Sequence, residues 1–186
     1  MLDVSPTSDK PFFGVVQLST SLGYKQFFHP EAARHRPDVS YLADILRHTH
    51  QAPNNRAKII IQNELRQEWN KLLEEKHHLL NHYVSQIKNH YQNEMLNWLK
   101  FLSKQKKMVD IPWNDPTVWQ LIRMVLLFDE GCHYLICAKK QQLMTEQCFS
   151  KAYLELVRPI RFCLAKMLRS LEEHHLSFDS SRKNSI

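Results

Sequence analysis

Glycine is scarce in this chain: three residues in 186, at Gly14, Gly23 and Gly131. That argues against a sheet-rich fold with many tight turns and for helices. Neither proline nor glycine occurs between Pro53 and Pro112, so no backbone breaker interrupts a helix there. Long apolar runs are also missing. The longest, Val118 to Phe128, is about eleven residues and contains Arg123, short of the ~20 needed to span a membrane. The first ten residues are polar and include Asp3 and Asp9, unlike the charged and apolar regions of a signal peptide. The four cysteines, Cys132, Cys137, Cys148 and Cys163, form no paired motif and read as unpaired, buried thiols of a reducing cytoplasm.

Motifs of catalysis are missing too. The sequence has no glycine-rich phosphate loop, no GxSxG and no carboxylate pair in a cleft-like pattern. The expectation is a protein that is not an enzyme, with no cofactor and no small-molecule substrate. Histidine, by contrast, is abundant at eleven residues. Glu74, His78 and His82 fall at i, i+4 and i+8 of one helix face, a spacing that two imidazoles and a carboxylate could use around a metal. The HExxH order is absent and the face is otherwise polar, so surface histidines are expected and no metal site. Cys132, His133 and Cys137 do not converge on a helix, because positions i and i+5 diverge.

What is present is an ordinary soluble composition, 43% hydrophobic and 24% charged, with net charge +6. The charge is uneven: ten Lys/Arg against five Asp/Glu between Asn54 and Lys107, near balance elsewhere. A basic rod suits an anionic partner, although lysines on a solvated helix face are the commoner outcome.

From Asn54 to about Lys107 the pattern predicts one very long helix. Ile61, Leu65, Trp69, Leu72, Lys76, Leu80, Tyr83, Ile87, Tyr91, Glu94, Trp98 and Leu102 recur in steps of four, four and three. Such a repeat keeps one stripe on one face of a nearly straight helix. At ~1.5 Å per residue the rod would reach about 80 Å, and Trp69, Tyr83, Tyr91 and Trp98 would be core or anchors for a protein partner.

The rest of the chain reads in order. Residues 1–11 are a flexible lead. FFGVVQLST, Phe12 to Thr20, is a strand with Val16 and Leu18 on one face and Val15, Gln17 and Ser19 on the other. A lone strand in a helical chain predicts a partner strand from a second copy. A short helix follows, capped by Thr20 or Ser21 and ending before Pro30. The loop EAARHRP holds Arg34 and Arg36, and Asp38 caps a second helix bearing Val39, Leu42, Ile45 and Leu46. IPWNDP is a turn, with Asp115 as cap and Pro116 at the first position of a helix to about Gln142 that is apolar around most of its girth. Thr145 opens a last helix to about Leu171, with a kink expected near Pro159. Residues 177–186 are a polar, disordered tail.

The strand is the stretch that suggests a function. A two-stranded antiparallel ribbon is narrow enough for the DNA major groove, where Gln can bond adenine bidentately and Val can meet the thymine methyl. Val15, Gln17 and Ser19 would face the bases. The second helix's N-terminus, with Arg34 and Arg36 just before it, would hold backbone phosphate. The bland counterpart is an edge strand capping a helical core.

GVVQLSTSLGYKQFF and RPDVSYLADILRHTHQAPNNRAKIIIQNELRQEWNKLLEE, with the later VLLFDEGCHYLICAKKQQLMTEQCFSKAYLELVRPIRFCLAKML, resemble a family of integrating conjugative elements and conjugative plasmids that includes the AcaB-type transcriptional activators. The resemblance spans most of residues 12–170. It implies a mainly α fold, with a ribbon-helix-helix-like DNA-binding segment over 12–53 and a helical extension over 54–176 that shares its core. It also implies a homodimer in a bacterial cytoplasm that binds double-stranded DNA and controls conjugation genes. The groove-facing residues would be Val15, Gln17 and Ser19, with Leu18 facing inward. One departure stands out: the strand carries no Lys or Arg, and the basic residues come later, at Lys25, Arg34 and Arg36. That shifts affinity toward salt-sensitive phosphate contacts. The alternative is a non-enzymatic helical adaptor of the conjugation apparatus.

Overall fold

A computed structural model describes residues 14–28, 38–51, 56–91, 107–111 and 115–174. The order is β1 (Gly14–Leu18), α1 (Ser21–Phe27), α2 (Val39–Gln51), α3 (Arg56–Tyr91), β2 (Lys107–Ile111), α4 (Pro116–Lys140) and α5 (Glu146–Glu173). The fold is mainly helical: a strand and two short helices, then a long helix and a C-terminal helical pair. The lead to residue 11, the loop with Arg34 and Arg36, and the tail from 177 lie outside the described residues.

Side-chain caps set the helix starts. The Thr20 hydroxyl accepts from Gly23 N at 3.4 Å, and the Asp38 carboxylate from Tyr41 N at 2.7 Å. Asp115 accepts from Thr117 N and Val118 N ahead of Pro116, whose missing N–H costs nothing at a first helical turn. Thr145 accepts from Cys148 N. α5 continues as helix through Pro159.

The described part of the long helix covers the stripe from Ile61 to Tyr91. α3 spans 36 residues, Arg56–Tyr91, about 54 Å at ~1.5 Å per residue, and Lys107 belongs to a strand. Residues 52–55 and 92–106, with Glu94, Trp98 and Leu102, lie outside the described residues. Along α3 the stripe does face the core: Leu65, Trp69 and Leu80 are buried, and Leu73 and Val84, each one position past a stripe residue, are buried as well. Trp69 is therefore core and not a partner anchor.

The second correction concerns β1. Its neighbour is β2 of the same chain, antiparallel, with Val16 opposite Val109 and Gln17 opposite Met108. No second copy supplies that strand. The physical reason lies in KMVDI, where Val109 and Ile111 alternate with Met108 and Asp110, the period of a half-buried strand.

One hydrophobic cluster joins these elements, from Val16 and Leu18 through Leu46, Trp69, Phe128 and Leu164 to Leu171. α4 lies at its centre, packed on α1, α2, α3 and α5, as its nearly all-round apolar surface requires. At Gly131 α4 packs tightly on α3 and α5. A Cβ there would sit 2.8 Å from Leu156 Cδ1 and 3.2 Å from Val84 Cγ2.

Candidate nucleic-acid interface

The β1–β2 ribbon has two unlike faces. Val16, Leu18, Val109 and Ile111 point into the core. The opposite face carries Val15, 56% exposed, and Met108, 62% exposed, with Gln17 and Asp110 also exposed. The register sets Val15 against Asp110 and Gln17 against Met108, so the four form one small square of surface. Alternation in β1 alone points to Val15 and Gln17. Met108 and Asp110 were hidden, because nothing in that region but the alternation of KMVDI separates it from the end of a helix.

Ser19 does not join this face. It is half-buried one residue past the strand, and its N–H donates to Asp129 Oδ2 at 2.5 Å. Thr20 follows, donating to Asp129 Oδ1 from its N–H at 3.0 Å and from its hydroxyl at 2.5 Å. Asp129 lies on α4 with 3% of its surface exposed. Burial pushes its carboxyl above the usual range, against the opposing pull of the Thr20 and Ser19 hydrogen bonds. One buried carboxylate therefore fixes the corner where the ribbon turns into α1. The packing there is tight: a Cβ on Gly23 would lie 3.0 Å from Asp129 Oδ1.

α1 is held from its other side by α5. The Arg161 guanidinium donates to the Gln26 carbonyl at 2.9 Å and to Gln26 Oε1 at 2.8 Å, and sits 5.4 Å from the Phe27 ring centroid. Phe27 itself meets Phe128 edge to face at 5.3 Å. Lys25 is exposed on α1. Lys107, at the start of β2, holds its ammonium 5.8 Å from the Tyr24 ring centroid. Of the residues expected to meet DNA, the fold brings Val15 and Gln17 together, leaves Lys25 on the adjacent helix and turns the Ser19 backbone inward. Arg34 and Arg36 lie outside the described residues.

The histidine and cysteine groups divide by exposure, and Cys148, expected buried, is exposed. Glu74, His78 and His82 are exposed on α3, with His82 in contact with Gln86 at 3.0 Å. Cys132, Cys137 and Cys163 are buried and Cys148 is exposed. Burial pushes the Cys163 thiol up to about 12 and raises Cys132 and Cys137 as well, so these three are poor nucleophiles. No described helix is long and apolar enough to cross a membrane. Compared with protein families, curated proteins and solved structures, the chain matches none.

Proposed function

We propose that this protein is a DNA-binding regulator that places the exposed face of its β1–β2 ribbon in the major groove. One observation carries the reading: a ribbon of two strands whose outward side chains are exposed, joined through Asp129 to a helical core. Gln17 offers an amide with the geometry for adenine, Val15 and Met108 offer apolar contact for the thymine methyl, and Asp110 can accept from the cytosine amino group. Phosphate contacts fall to Lys25 on the flanking helix and to Arg34 and Arg36 before α2, as in binding that is strongly salt-dependent.

The ribbon belongs to one chain, and that changes the geometry of the dimer. Adding a second copy's strand to β1 would make a sheet of four strands, about 15 Å across at ~4.8 Å spacing even without side chains, too wide for a groove of about 12 Å. Each copy therefore brings its own ribbon, and a homodimer reads two half-sites. The sequence resemblance to regulators of conjugative elements supports conjugation genes as the target.

The test is selection of bound duplexes from a random-sequence library by the native protein and by Gln17→Ala. An enriched motif that Gln17→Ala loses or relaxes supports the reading. Absence of binding at low salt overturns it.

A further inference from the structure

A different surface, on α5, is built for a protein partner. Lys151, Leu154, Arg158, Phe162, Lys166 and Arg169 are all exposed and recur in steps of three or four, so they share the outer face of one helix. Leu154 is 54% and Phe162 47% exposed. The eight-residue step between them is about 12 Å along the axis. Among the described residues the carboxylates beside this face are Glu155, which pairs with Arg158 at 3.3 Å, Glu75, which pairs with Lys76 at 2.6 Å, and Glu172 and Glu173 at the end of α5.

The flank of α3 continues this surface. Lys76 Nζ lies 5.2 Å from the Phe162 ring centroid, and Leu79, 38% exposed, is one turn further along α3. α3 and α5 run antiparallel here, because Lys76 meets Phe162 while Val84 and Leu156 both close on Gly131. The result is an exposed face with two aliphatic side chains, an aromatic ring and flanking positive charge.

We infer that this face docks an acidic amphipathic helix of another protein. The occupant's apolar residues, seven or eight apart, would cover Leu154 and Phe162, and its Asp or Glu side chains would meet Arg158, Lys166 and Arg169. Exposed aromatics ringed by arginine are the usual anchors of such contacts. Nucleic acid fits less well. Phosphates would satisfy the cations but leave Leu154 and Leu79 uncovered, and neither can stack a base. A membrane surface fits less well too, because Glu75 and Glu155 lie beside Lys76 and Arg158 on this face and two or three apolar side chains give little insertion. This inference is independent of the ribbon reading.

The experiment replaces Phe162 with photoreactive benzoylphenylalanine in the full-length protein, irradiates the cells that make it, and sequences the adducts by mass spectrometry. The expected adduct is a peptide with two apolar residues seven or eight apart flanked by Asp or Glu. Its synthetic copy should bind the native protein and lose at least tenfold in affinity to Arg158→Glu/Lys166→Glu, about 1.4 kcal/mol or more. Exchanging the peptide's acids for lysines should restore binding to that variant. Adducts to nucleic acid or lipid, a peptide without the acidic pattern, failure of the charge exchange, or no adduct at all each overturns the inference.

Discussion

Asp129 and Thr20 are joined twice, the carboxylate Oδ1 accepting the Thr20 N–H at 3.0 Å and its hydroxyl at 2.5 Å across 109 residues of sequence. This pair locks the end of the ribbon to the central helix. Asp129→Ala leaves the Thr20 N–H, the Thr20 hydroxyl and the Ser19 N–H without their acceptor in a buried corner. The expected loss is about 3 kcal/mol of stability, since an unsatisfied buried donor costs about 1–3 kcal/mol. Thr20→Val removes the hydroxyl bond and the helix cap together and should cost about 1–2 kcal/mol. Urea unfolding of the two single variants and the double checks both, and the double should cost clearly less than the sum.

Acid should loosen the same region. Burial lowers the pKa of His133, one turn from Asp129, below its ordinary 6.5, despite the opposing charges of Asp129 and Glu130. Neither ring nitrogen has a hydrogen-bond partner among the described residues. The folded chain therefore keeps this imidazole neutral while the unfolded chain protonates it. Its contribution to stability is present above the unfolded pKa and is lost as pH falls through about 6.5 toward the lower folded value. Burial lowers His77 in the same direction. Unfolding midpoints between about pH 7.5 and about pH 5.5 should fall, and His133→Leu should flatten that slope only in part, because His77 remains.

Gly131 tests the contact of the three long helices. A methyl group there would meet Leu156 at 2.8 Å and 3.1 Å and Val84 at 3.2 Å. Gly131→Ala should cost about 1–3 kcal/mol by overpacking, although alanine is the better helix former. In a Leu156→Ala background the added methyl group fills vacated space, so the same change should be neutral or stabilising. A thermal melt of the four proteins decides it.

Much of this fold is legible from residues. Asp115–Pro116 and Thr145 announce the starts of α4 and α5, and the four-four-three stripe predicts the buried side of α3 through Leu65, Trp69 and Leu80. β2 is not legible in the same way. KMVDI is five residues long and no glycine or proline sets it off from the helical pattern before it, so continuation of the helix looks the better reading. Missing β2 sends β1 to a second copy for its partner. Of the candidate site, Val15 and Gln17 follow from alternation, while Met108 and Asp110 depend on a pairing across 91 positions, from Gln17 to Met108. The Asp129 lock was invisible, because an acidic residue in VLLFDEG reads as solvated until the ribbon end is known to lie on it.

Arg34 and Arg36 should act on affinity without changing sequence preference. If they hold phosphates, Arg34→Ala and Arg36→Ala weaken binding to selected and scrambled duplexes about equally, and each lowers the salt slope by about one. Fluorescence titrations at a series of salt concentrations give both quantities. A loss confined to the selected duplex would assign them to the bases instead.

Whether the outward ribbon face reads DNA is decided by a comparative titration. Native protein, Gln17→Ala and Met108→Ala would be measured against a selected duplex and its scrambled counterpart at fixed salt. These side chains are exposed, so the variants should melt with the native protein. Each variant should lose about 1–3 kcal/mol on the selected duplex and little on the scrambled one. Equal affinities of all three proteins for the selected duplex would contradict it.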